Sequence, residues 1–370
     1  MNIYQDLGLP RIINACGRMT ALGVSVAANE TAEALKEASQ HFVDISALID
    51  VAGKLIASYT GGEDACPTTG AAAGIAISVA GCIAKGSINI TQRLPDSSGL
   101  RNEVIIQKGH CINFGAPATQ MITLGGGKVV EIGTANGTHE NNLIESINEN
   151  TAAIMYIKSH HCVQKGMLSL ETMVKAAKNA GIPLIVDAAA EEDLKEYLSS
   201  GADLVTYSGS KAIEGPVSGF ITGRADLIAS CKLQYYGIGR PMKIGKEGII
   251  GLLTALKIYT ENDVKAIREE ERKTLDLIKS QLDSIPGLTW SIEKDQAGRK
   301  IQRLRVKIDP EITGLTTYEL IEALSAGDIS IRTRNHHANL GMIEIDPRPL
   351  LNDDAEEIIK KFKRILNTND

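Results

Sequence analysis

The chain has 370 residues and a formal net charge of −6; 43% of its residues are hydrophobic, 23% are charged and only 4% are aromatic. This composition is typical of a globular protein of about two domains, and the acidic balance with few aromatic side chains argues against a broad nucleic-acid-binding surface. Six scattered cysteines without a CxxC pair favour a reduced, cytoplasmic protein with no structural zinc and no other metal.

The apolar residues argue against export and against membrane insertion. The first six residues lack the basic and apolar segments of a signal peptide. The longest mostly apolar stretch, residues 71–84, is too short to span a bilayer and predicts a buried helix.

Short apolar runs alternate with helical patterns from about residue 60 to about residue 225. Strands are predicted at 104–107, 128–132, 153–157, 184–187, 204–207 and 219–222. Helices are predicted near 71–84, 115–123, 140–148, 170–180 and 191–199. Strands separated by helices predict an α/β fold with a mostly parallel sheet, and such sheets bind ligands at the carboxyl ends of their strands.

The rest of the chain is predicted to differ from this pattern. Residues 245–282 contain little Gly or Pro and predict one long connecting helix. A smaller α+β region follows, with strands near 288–293, 302–308, 329–333 and 341–345 and helices near 317–325 and 354–366. We therefore expect an N-terminal arm (1–50), a large domain (51–250), and a connecting helix with a small C-terminal α+β domain (251–370).

An aspartate and a lysine follow two neighbouring predicted strands. Asp187 is the last residue of its apolar run, and Lys211 follows the next run after a Ser-Gly-Ser segment. A lysine amine can form a Schiff base with pyridoxal 5'-phosphate, and a carboxylate can keep the ring nitrogen of that cofactor protonated. Taken singly, Asp187 would be a helix N-cap and Lys211 a solvated cation. Occurring together, the two favour a large domain that binds pyridoxal phosphate.

A glycine-containing segment precedes the predicted buried helix. Thr69, Gly70 and Ala71 lie where the free backbone N–H groups of a helix N-terminus can bind a phosphate. The alternative is a well-capped helix that packs closely through its small residues. Ser208 and Ser210 strengthen the phosphate interpretation, because one strand-end turn can aim both hydroxyls at the same phosphate.

Lys211 and three histidines are candidates for the chemistry. Once displaced from the cofactor, Lys211 can remove a proton from the substrate α-carbon as a general base. His110 follows a predicted strand, and it either stacks on the cofactor ring or only bonds backbone. His160 and His161 follow another strand and are candidates for positioning substrate hydroxyls. A metal site built from this pair is disfavoured, because adjacent residues of an extended chain point to opposite sides.

Four basic residues are candidates for holding an anionic substrate, namely Arg18, Arg240, Lys243 and Arg348. Arginine binds carboxylate and phosphate in a bidentate manner, and lysine supplies a point charge. Taken singly, each is better explained as a solvated surface charge. As a group, they indicate that the site handles an anion.

Several segments resemble the selenocysteine synthase (L-seryl-tRNA selenium transferase) branch of the fold type I pyridoxal-phosphate enzymes. The resemblance is carried by residues 10–17, 61–65, 133–139, 201–211 and 215–219. It covers residues 10–250 well and the C-terminal part loosely, and the segment around Lys211 is the most specific part. The resemblance implies an aspartate-aminotransferase-like fold with a mostly parallel seven-stranded sheet. It also implies a homodimer or a ring of dimers, with sites built from two subunits.

The same resemblance assigns roles to four residues. Lys211 would be the Schiff-base lysine, Asp187 the partner of the ring nitrogen, and Ser208 and Ser210 ligands of the phosphate. Selenocysteine synthases carry an extra N-terminal domain that grips transfer RNA, whereas this chain begins almost at the catalytic domain and is net acidic. The size and the segment 208–216 are closer to the D-glucosaminate-6-phosphate ammonia-lyases of this branch.

These features predict a cytoplasmic ammonia-lyase. The expected reaction removes water and then ammonia from 2-amino-2-deoxy-D-gluconate 6-phosphate and gives 2-keto-3-deoxygluconate 6-phosphate. One alternative is seryl-tRNA selenium transfer, or another β-elimination or aldol cleavage of a small amino acid. A second alternative is a non-catalytic scaffold that kept the fold, and the intact pair of Asp187 and Lys211 argues against it.

Overall fold

A computed structural model describes residues 3–295 and 299–366 of the chain. These residues form two compact units: one comprises residues 27–261, and the other joins the segment before residue 27 to the segment after residue 261. The larger unit therefore includes helices from the predicted N-terminal arm, and the first strand of that arm belongs to the smaller unit. The division after residues 26 and 261 thus differs from the expected boundaries at 50 and 250.

Strands and helices are numbered separately in chain order. Within the described residues, the strands β1 to β12 are Arg11–Ala15, Asp64–Thr68, Glu103–Gln107, Lys128–Ile132, Thr151–Ile157, Leu184–Asp187, Leu204–Ser208, Gly219–Gly223, Leu288–Lys294, Gln302–Ile308, Ile329–Thr333 and Met342–Ile345. The helices α1 to α15 are Ile3–Asp6, Asn29–Ser39, Ile45–Thr60, Ala71–Ala84, Ile88–Arg93, Ala118–Leu124, Glu140–Ile144, Leu170–Ala180, Glu196–Ser199, Ala225–Leu233, Lys246–Glu261, Val264–Leu282, Pro310–Thr313, Thr317–Ser325 and Asp354–Ile365.

The larger unit is built on a seven-stranded sheet with the order β2-β8-β7-β6-β5-β3-β4. The strands from β4 to β7 in this order run parallel, whereas β8 runs antiparallel to both β7 and β2. The predicted mostly parallel α/β sheet is confirmed. The edge strand β2 is missing from the strands predicted individually, because its sequence, Asp-Ala-Cys-Pro-Thr, contains a proline and lacks an apolar run.

Both faces of this sheet are buried, which explains why its strands are apolar runs. Val104 and Ile106 pack with α4 in one core cluster. The intervening Ile105 packs in a second cluster that includes residues of α8 and α11. Twelve of the 14 residues of α4 are buried, so the prediction of a buried helix over 71–84 is confirmed.

The smaller unit has an antiparallel sheet in the order β12-β10-β9, and β1 pairs with β11 in parallel. Side chains from these strands and from α12, α14 and α15 form one core cluster. The predicted small α+β region is therefore confirmed. Its first strand, Arg11–Ala15, lies in the segment that the sequence pattern assigned to an arm.

The helix predicted over 245–282 is two helices, α11 and α12. The Asp263 carboxylate accepts hydrogen bonds from the backbone N–H groups of Lys265 (2.9 Å) and Ala266 (3.1 Å) at the start of α12. A capping aspartate starts a new helix here, although the composition on both sides is helical. No helix among residues 3–295 and 299–366 combines the length and the hydropathy needed to cross a membrane.

Candidate active site

Four neighbouring strands, β2, β8, β7 and β6, bring the main candidates to one edge of the seven-stranded sheet. In the sheet register, Gly219 pairs with both Thr68 and Ser208, so the ends of β2 and β7 flank the start of β8. Asp187 pairs with Thr206 on the neighbouring strand β7. The phosphate candidates and the aspartate therefore lie along the same edge.

Asp187 is a buried carboxylate, 6% exposed, at the end of β6. Its Oδ1 accepts hydrogen bonds from the Ala189 backbone N–H and from the Thr206 hydroxyl, both at 3.1 Å. Burial raises the pKa of Asp187, and the charge of Lys211 together with these two bonds acts in the opposite direction. The pKa stays above its ordinary value, so this carboxyl group would bind a further cation favourably.

Lys211 lies on a tightly turned loop whose base is closed by the ends of β7 and β8. The Gly209 N–H donates to the Ser218 carbonyl and the Gly215 N–H donates to the Gly209 carbonyl, both at 2.8 Å. Glu214 occupies the left-handed region with a φ of 58°. The backbone that carries the half-buried Lys211 is therefore held at both ends.

Two hydroxyls and a helix N-terminus form a candidate phosphate cradle. The Oγ atoms of Ser208 and Ser210 are 3.2 Å apart. Helix α4 begins at Ala71 after Gly70, which has no side chain to cap it, so the first N–H groups of α4 are available to an anion. A Cβ on Gly219 would lie 2.6 Å from the carbonyl carbon of Gly70, so only glycine allows this strand to approach the helix start.

Thr69 connects this cradle to a basic turn. The Thr69 N–H and hydroxyl both donate to the Met242 carbonyl oxygen, each at 3.2 Å. Met242 is buried and lies between Arg240 and Lys243, which are both exposed. Two of the four basic candidates are therefore placed beside the N-terminus of α4.

His110 is buried, with 3% of its surface exposed. Its Nδ1 accepts the Ile157 backbone N–H at 3.1 Å, and its ring meets that of Tyr156 edge-on at a centroid distance of 4.7 Å. Burial and the charge of Lys158 lower the pKa of His110 to about 4. The imidazole is therefore neutral and bonded to backbone, and stacking on a cofactor ring stays a prediction.

His160 and His161 lie in a turn after β5 rather than in an extended segment. Their ring centroids are 3.9 Å apart at an interplanar angle of 39°. The expectation that these side chains point to opposite sides is therefore wrong, because a turn does not impose the alternation of a strand. His160 is half-buried and His161 is exposed.

Arg18 and Arg348 belong to the smaller unit. Asp346 holds the Arg348 guanidinium in a bidentate pair, with Nε–Oδ1 at 2.9 Å and Nη2–Oδ2 at 2.7 Å. A Cβ on Gly17 would lie 3.5 Å from Nη2 of Arg348, so the segment that carries Arg18 packs beside this pair. Arg348 is thus a buried, ion-paired side chain rather than a solvated charge. Its contact with substrate stays a prediction.

Two further residues shape the edge and are missing from the sequence-based candidates. Thr206 donates to Asp187, and its position two residues before Ser208 signals that both side chains face the same side of the strand. Gly219 permits the close approach to the start of α4. No local signal marks Gly219, because its contact depends on the pairing of β8.

The family model described as L-seryl-tRNA selenium transferase matches residues 12–316, which is most of the chain. The chain belongs to this family. Family membership confirms the resemblance inferred from residues 201–211 and supports pyridoxal phosphate as the cofactor.

Two relatives match nearly the whole chain. D-glucosaminate-6-phosphate ammonia lyase of Salmonella typhimurium is 46% identical over 364 residues, which are 98% of each chain. A 5'-C-glycyluridine monooxygenase-decarboxylase of a Streptomyces species is 41% identical over 365 residues, 98% of this chain and 92% of the relative.

Two solved structures also match nearly the whole chain. The structure of a D-glucosaminate-6-phosphate ammonia-lyase superposes with a TM-score of 0.93 at 45% identity, covering 99% of this chain and 98% of the other. Aspartate aminotransferase from Thermus thermophilus matches with a TM-score of 0.54 at 14% identity, covering 98% and 93% of the two chains. The second match concerns the fold alone, and with the first it confirms the aspartate-aminotransferase-like class.

Proposed function

We propose that this chain is a pyridoxal-phosphate-dependent ammonia-lyase that acts on 2-amino-2-deoxy-D-gluconate 6-phosphate. Its products would be 2-keto-3-deoxygluconate 6-phosphate and ammonia. The observation that carries the proposal is the 46% identity to an ammonia lyase of this substrate over 98% of both chains. The arrangement of Asp187 and Lys211 at the sheet edge supports the chemistry independently of that relative.

The residues at the edge fit pyridoxal phosphate. Ser208, Ser210 and the N–H groups of Gly70 and Ala71 would hold its phosphate. The hydrogen bonds from Ala189 and Thr206 both go to Oδ1 of Asp187, so Oδ2 is the oxygen that would face the ring nitrogen. When bound, the cofactor accepts the electron pair that remains when a proton leaves the substrate α-carbon.

Lys211 is the residue that moves the proton. Its ε-amine would hold the cofactor before substrate binds and would then take the α-proton as a general base. The 3-hydroxyl leaves as water, for which His160 or His161 would supply the proton. Addition of water to the released enamine then expels ammonia and leaves the keto acid, so that the atoms balance.

The basic candidates would hold the two anionic ends of the substrate. Arg240 and Lys243 are exposed beside the cradle and would bind the terminal phosphate. Arg18 and Arg348 would bind the carboxylate, and Asp346 already fixes the orientation of the Arg348 guanidinium.

The proposed partners are a small phosphorylated substrate and a second copy of the chain, in a homodimer or a ring of dimers in the cytoplasm. The net charge of −6 disfavours a nucleic acid as partner. Five large apolar side chains in the segment 42–55 are exposed, namely Phe42, Val43, Ile45, Val51 and Leu55. Such a patch is typical of a subunit interface.

A second candidate function comes from the relative that is 41% identical and is named a monooxygenase-decarboxylase of 5'-C-glycyluridine. That substrate also carries an amino acid group, so the same edge would serve. The two candidates differ in oxygen use and in the product released.

The deciding experiment incubates the cofactor-loaded protein with 2-amino-2-deoxy-D-gluconate 6-phosphate and measures ammonia and keto acid. Equal amounts of both products, without oxygen uptake, support the ammonia-lyase. Lys211→Ala should reduce the turnover rate by about 10⁴-fold. It should also remove the borohydride-sensitive absorbance of the holoenzyme. Oxygen uptake and carbon dioxide release from 5'-C-glycyluridine, without reaction of the sugar acid, would support the second candidate.

A further inference from the structure

The segment 234–242 is hydrogen-bonded to the end of β2 at two points. The Tyr235 hydroxyl donates to the carbonyl oxygen of Pro67. The carbonyl oxygen of Met242 accepts both the N–H and the hydroxyl of Thr69, each at 3.2 Å. Both attachment points lie directly before the N-terminus of α4, where the phosphate cradle begins.

Between these points the backbone is tightly constrained. Gln234 is fully buried, and its carbonyl oxygen accepts the N–H groups of Gly237 (2.9 Å) and Gly239 (2.8 Å). A Cβ on Gly239 would lie 2.8 Å from that same carbonyl oxygen. The buried Met242 side chain packs in the core cluster that contains α4. The turn that follows is thus held in one place relative to the helix start.

We propose that Thr69 is a positioning residue for Arg240 and Lys243, and that it does not bind the cofactor phosphate with its hydroxyl. The hydroxyl and N–H of Thr69 are both used by Met242, which lies between the two basic residues. Thr69 therefore sets the spacing between the cradle at α4 and the cations that would bind the terminal phosphate of the substrate. This inference rests on the proposed function and deepens it.

In this role, Thr69 affects the binding of the 6-phosphate group of the substrate. Thr69→Val removes the hydroxyl and keeps both the side-chain shape and the backbone N–H bond. One hydrogen bond of ordinary strength corresponds to about a five-fold change in an equilibrium. We expect Thr69→Val to raise the KM for the 6-phosphate substrate about five-fold, with little change in kcat.

The test compares Thr69→Val, Thr69→Ser and the natural protein on the substrate with and without its 6-phosphate. Thr69→Ser keeps the hydroxyl and should restore the natural KM. The unphosphorylated 2-amino-2-deoxy-D-gluconate should show the same KM with all three proteins. Hydrogen–deuterium exchange of holoenzyme amides 239–243 provides a readout that needs no turnover, and it should be faster in Thr69→Val only.

The outcomes separate this inference from the proposed function. Weaker retention of pyridoxal phosphate in Thr69→Val, or an equal change for both substrates, would overturn it and make the hydroxyl a cofactor ligand. If the natural protein turned over neither sugar acid, the proposed function would fail. Hydrogen–deuterium exchange of the amides in 239–243 would then be the remaining test of the positioning role. Unchanged exchange in Thr69→Val would overturn that role.

Discussion

Two buried carboxylates, one in each unit, are held in opposite ways. Asp187 receives a backbone N–H and a hydroxyl, and burial raises its pKa in spite of the charge of Lys211. Asp346 is fully buried too, but it pairs with Arg348 and with Arg303 (2.9 Å), and these guanidinium groups hold its pKa well below the ordinary value. The negative charge of Asp187 is therefore only partly balanced by its neighbours, whereas that of Asp346 is balanced by two guanidinium groups.

The difference is the one expected between a buried charge that stabilises the fold and a buried charge in the proposed site. A saturated pair is costly to break, because its loss leaves buried cations without an anion. A buried carboxylate whose charge is only partly balanced destabilises the fold until a cation binds it. This is expected of a group that binds a cationic ligand. Burial alone therefore does not identify a functional residue, whereas the number of its cationic partners helps to do so.

Replacement of Asp346 should change the stability of the protein most. Asp346→Asn leaves the guanidinium groups of Arg303 and Arg348 without their shared charge and should lower the free energy of unfolding by about 3–5 kcal/mol. Urea denaturation of the cofactor-free protein at pH 7 measures this. A loss below about 1 kcal/mol would show that the pair behaves like an exposed ion pair.

Asp187→Asn should act in the opposite direction on stability. The raised pKa of Asp187 means that its charge destabilises the fold at pH 7, so the neutral amide should stabilise the cofactor-free protein. This gain should vanish at a pH below the pKa of the unfolded aspartate, where Asp187 is protonated in both states. The same variant should lower kcat by about 10²–10³-fold.

The comparison of Asp187 with Asp346 would break down if both asparagine variants lost stability equally. In that case Asp187 would also be a structural charge. Denaturation at pH 7 and pH 3, together with the ammonia assay, distinguishes the two outcomes.

His110 extends the comparison to a group that the fold holds neutral. Its pKa of about 4 lies below that of an unfolded histidine, so the unfolded chain binds more protons between pH 6.5 and pH 4. Stability should therefore fall by up to about 3 kcal/mol as the pH is lowered through this window. His110→Asn keeps an acceptor for the Ile157 N–H and should flatten that part of the profile.

The matched control for this profile is His41→Asn, which changes an exposed histidine. It should leave the pH dependence of the natural protein in place. An unchanged profile in His110→Asn would mean that another group causes the loss of stability at low pH.

A further test concerns the close approach of Gly219 to the start of α4. Gly219→Ala places a Cβ 2.6 Å from the Gly70 carbonyl carbon, which should displace the start of α4 at a cost of about 1–3 kcal/mol. Pyridoxal phosphate should bind about ten-fold more weakly, as measured by absorbance titration. Gly137→Ala is the control, because its nearest neighbour would be 3.8 Å away. Equal cofactor affinity in both variants would exclude the cradle.

Local sequence patterns predict much of this fold. The runs 128–132 and 184–187 coincide with β4 and β6, since apolar residues bounded by polar ones mark buried strands. Strand β2 escapes prediction because its pairing with β8, rather than its own composition, makes it a strand. The break at Asp263 is similarly hidden, because one capping residue interrupts an otherwise helical composition.

The site follows the same division between local and distant information. Asp187 and Lys211 stand out because each follows an apolar run, and the topology of parallel sheets brings such positions to one edge. The bond between Thr69 and Met242 joins residues 173 positions apart, and no local pattern encodes it. The residues proposed to bear the chemistry are thus visible in the sequence, whereas the contacts of Thr69, proposed to set their spacing, become visible only in the fold.

The closed loop between β7 and β8 limits how Lys211 can move. Because Gly209 and Ser218 are joined across its base, the loop need not refold when the Lys211 side chain changes position. Motion is left to the four methylene groups of the side chain, which act as a short tether. In the proposed catalytic role of Lys211, the amine would therefore stay near the reacting carbon at a high local concentration, and little ordering entropy would be lost at each return.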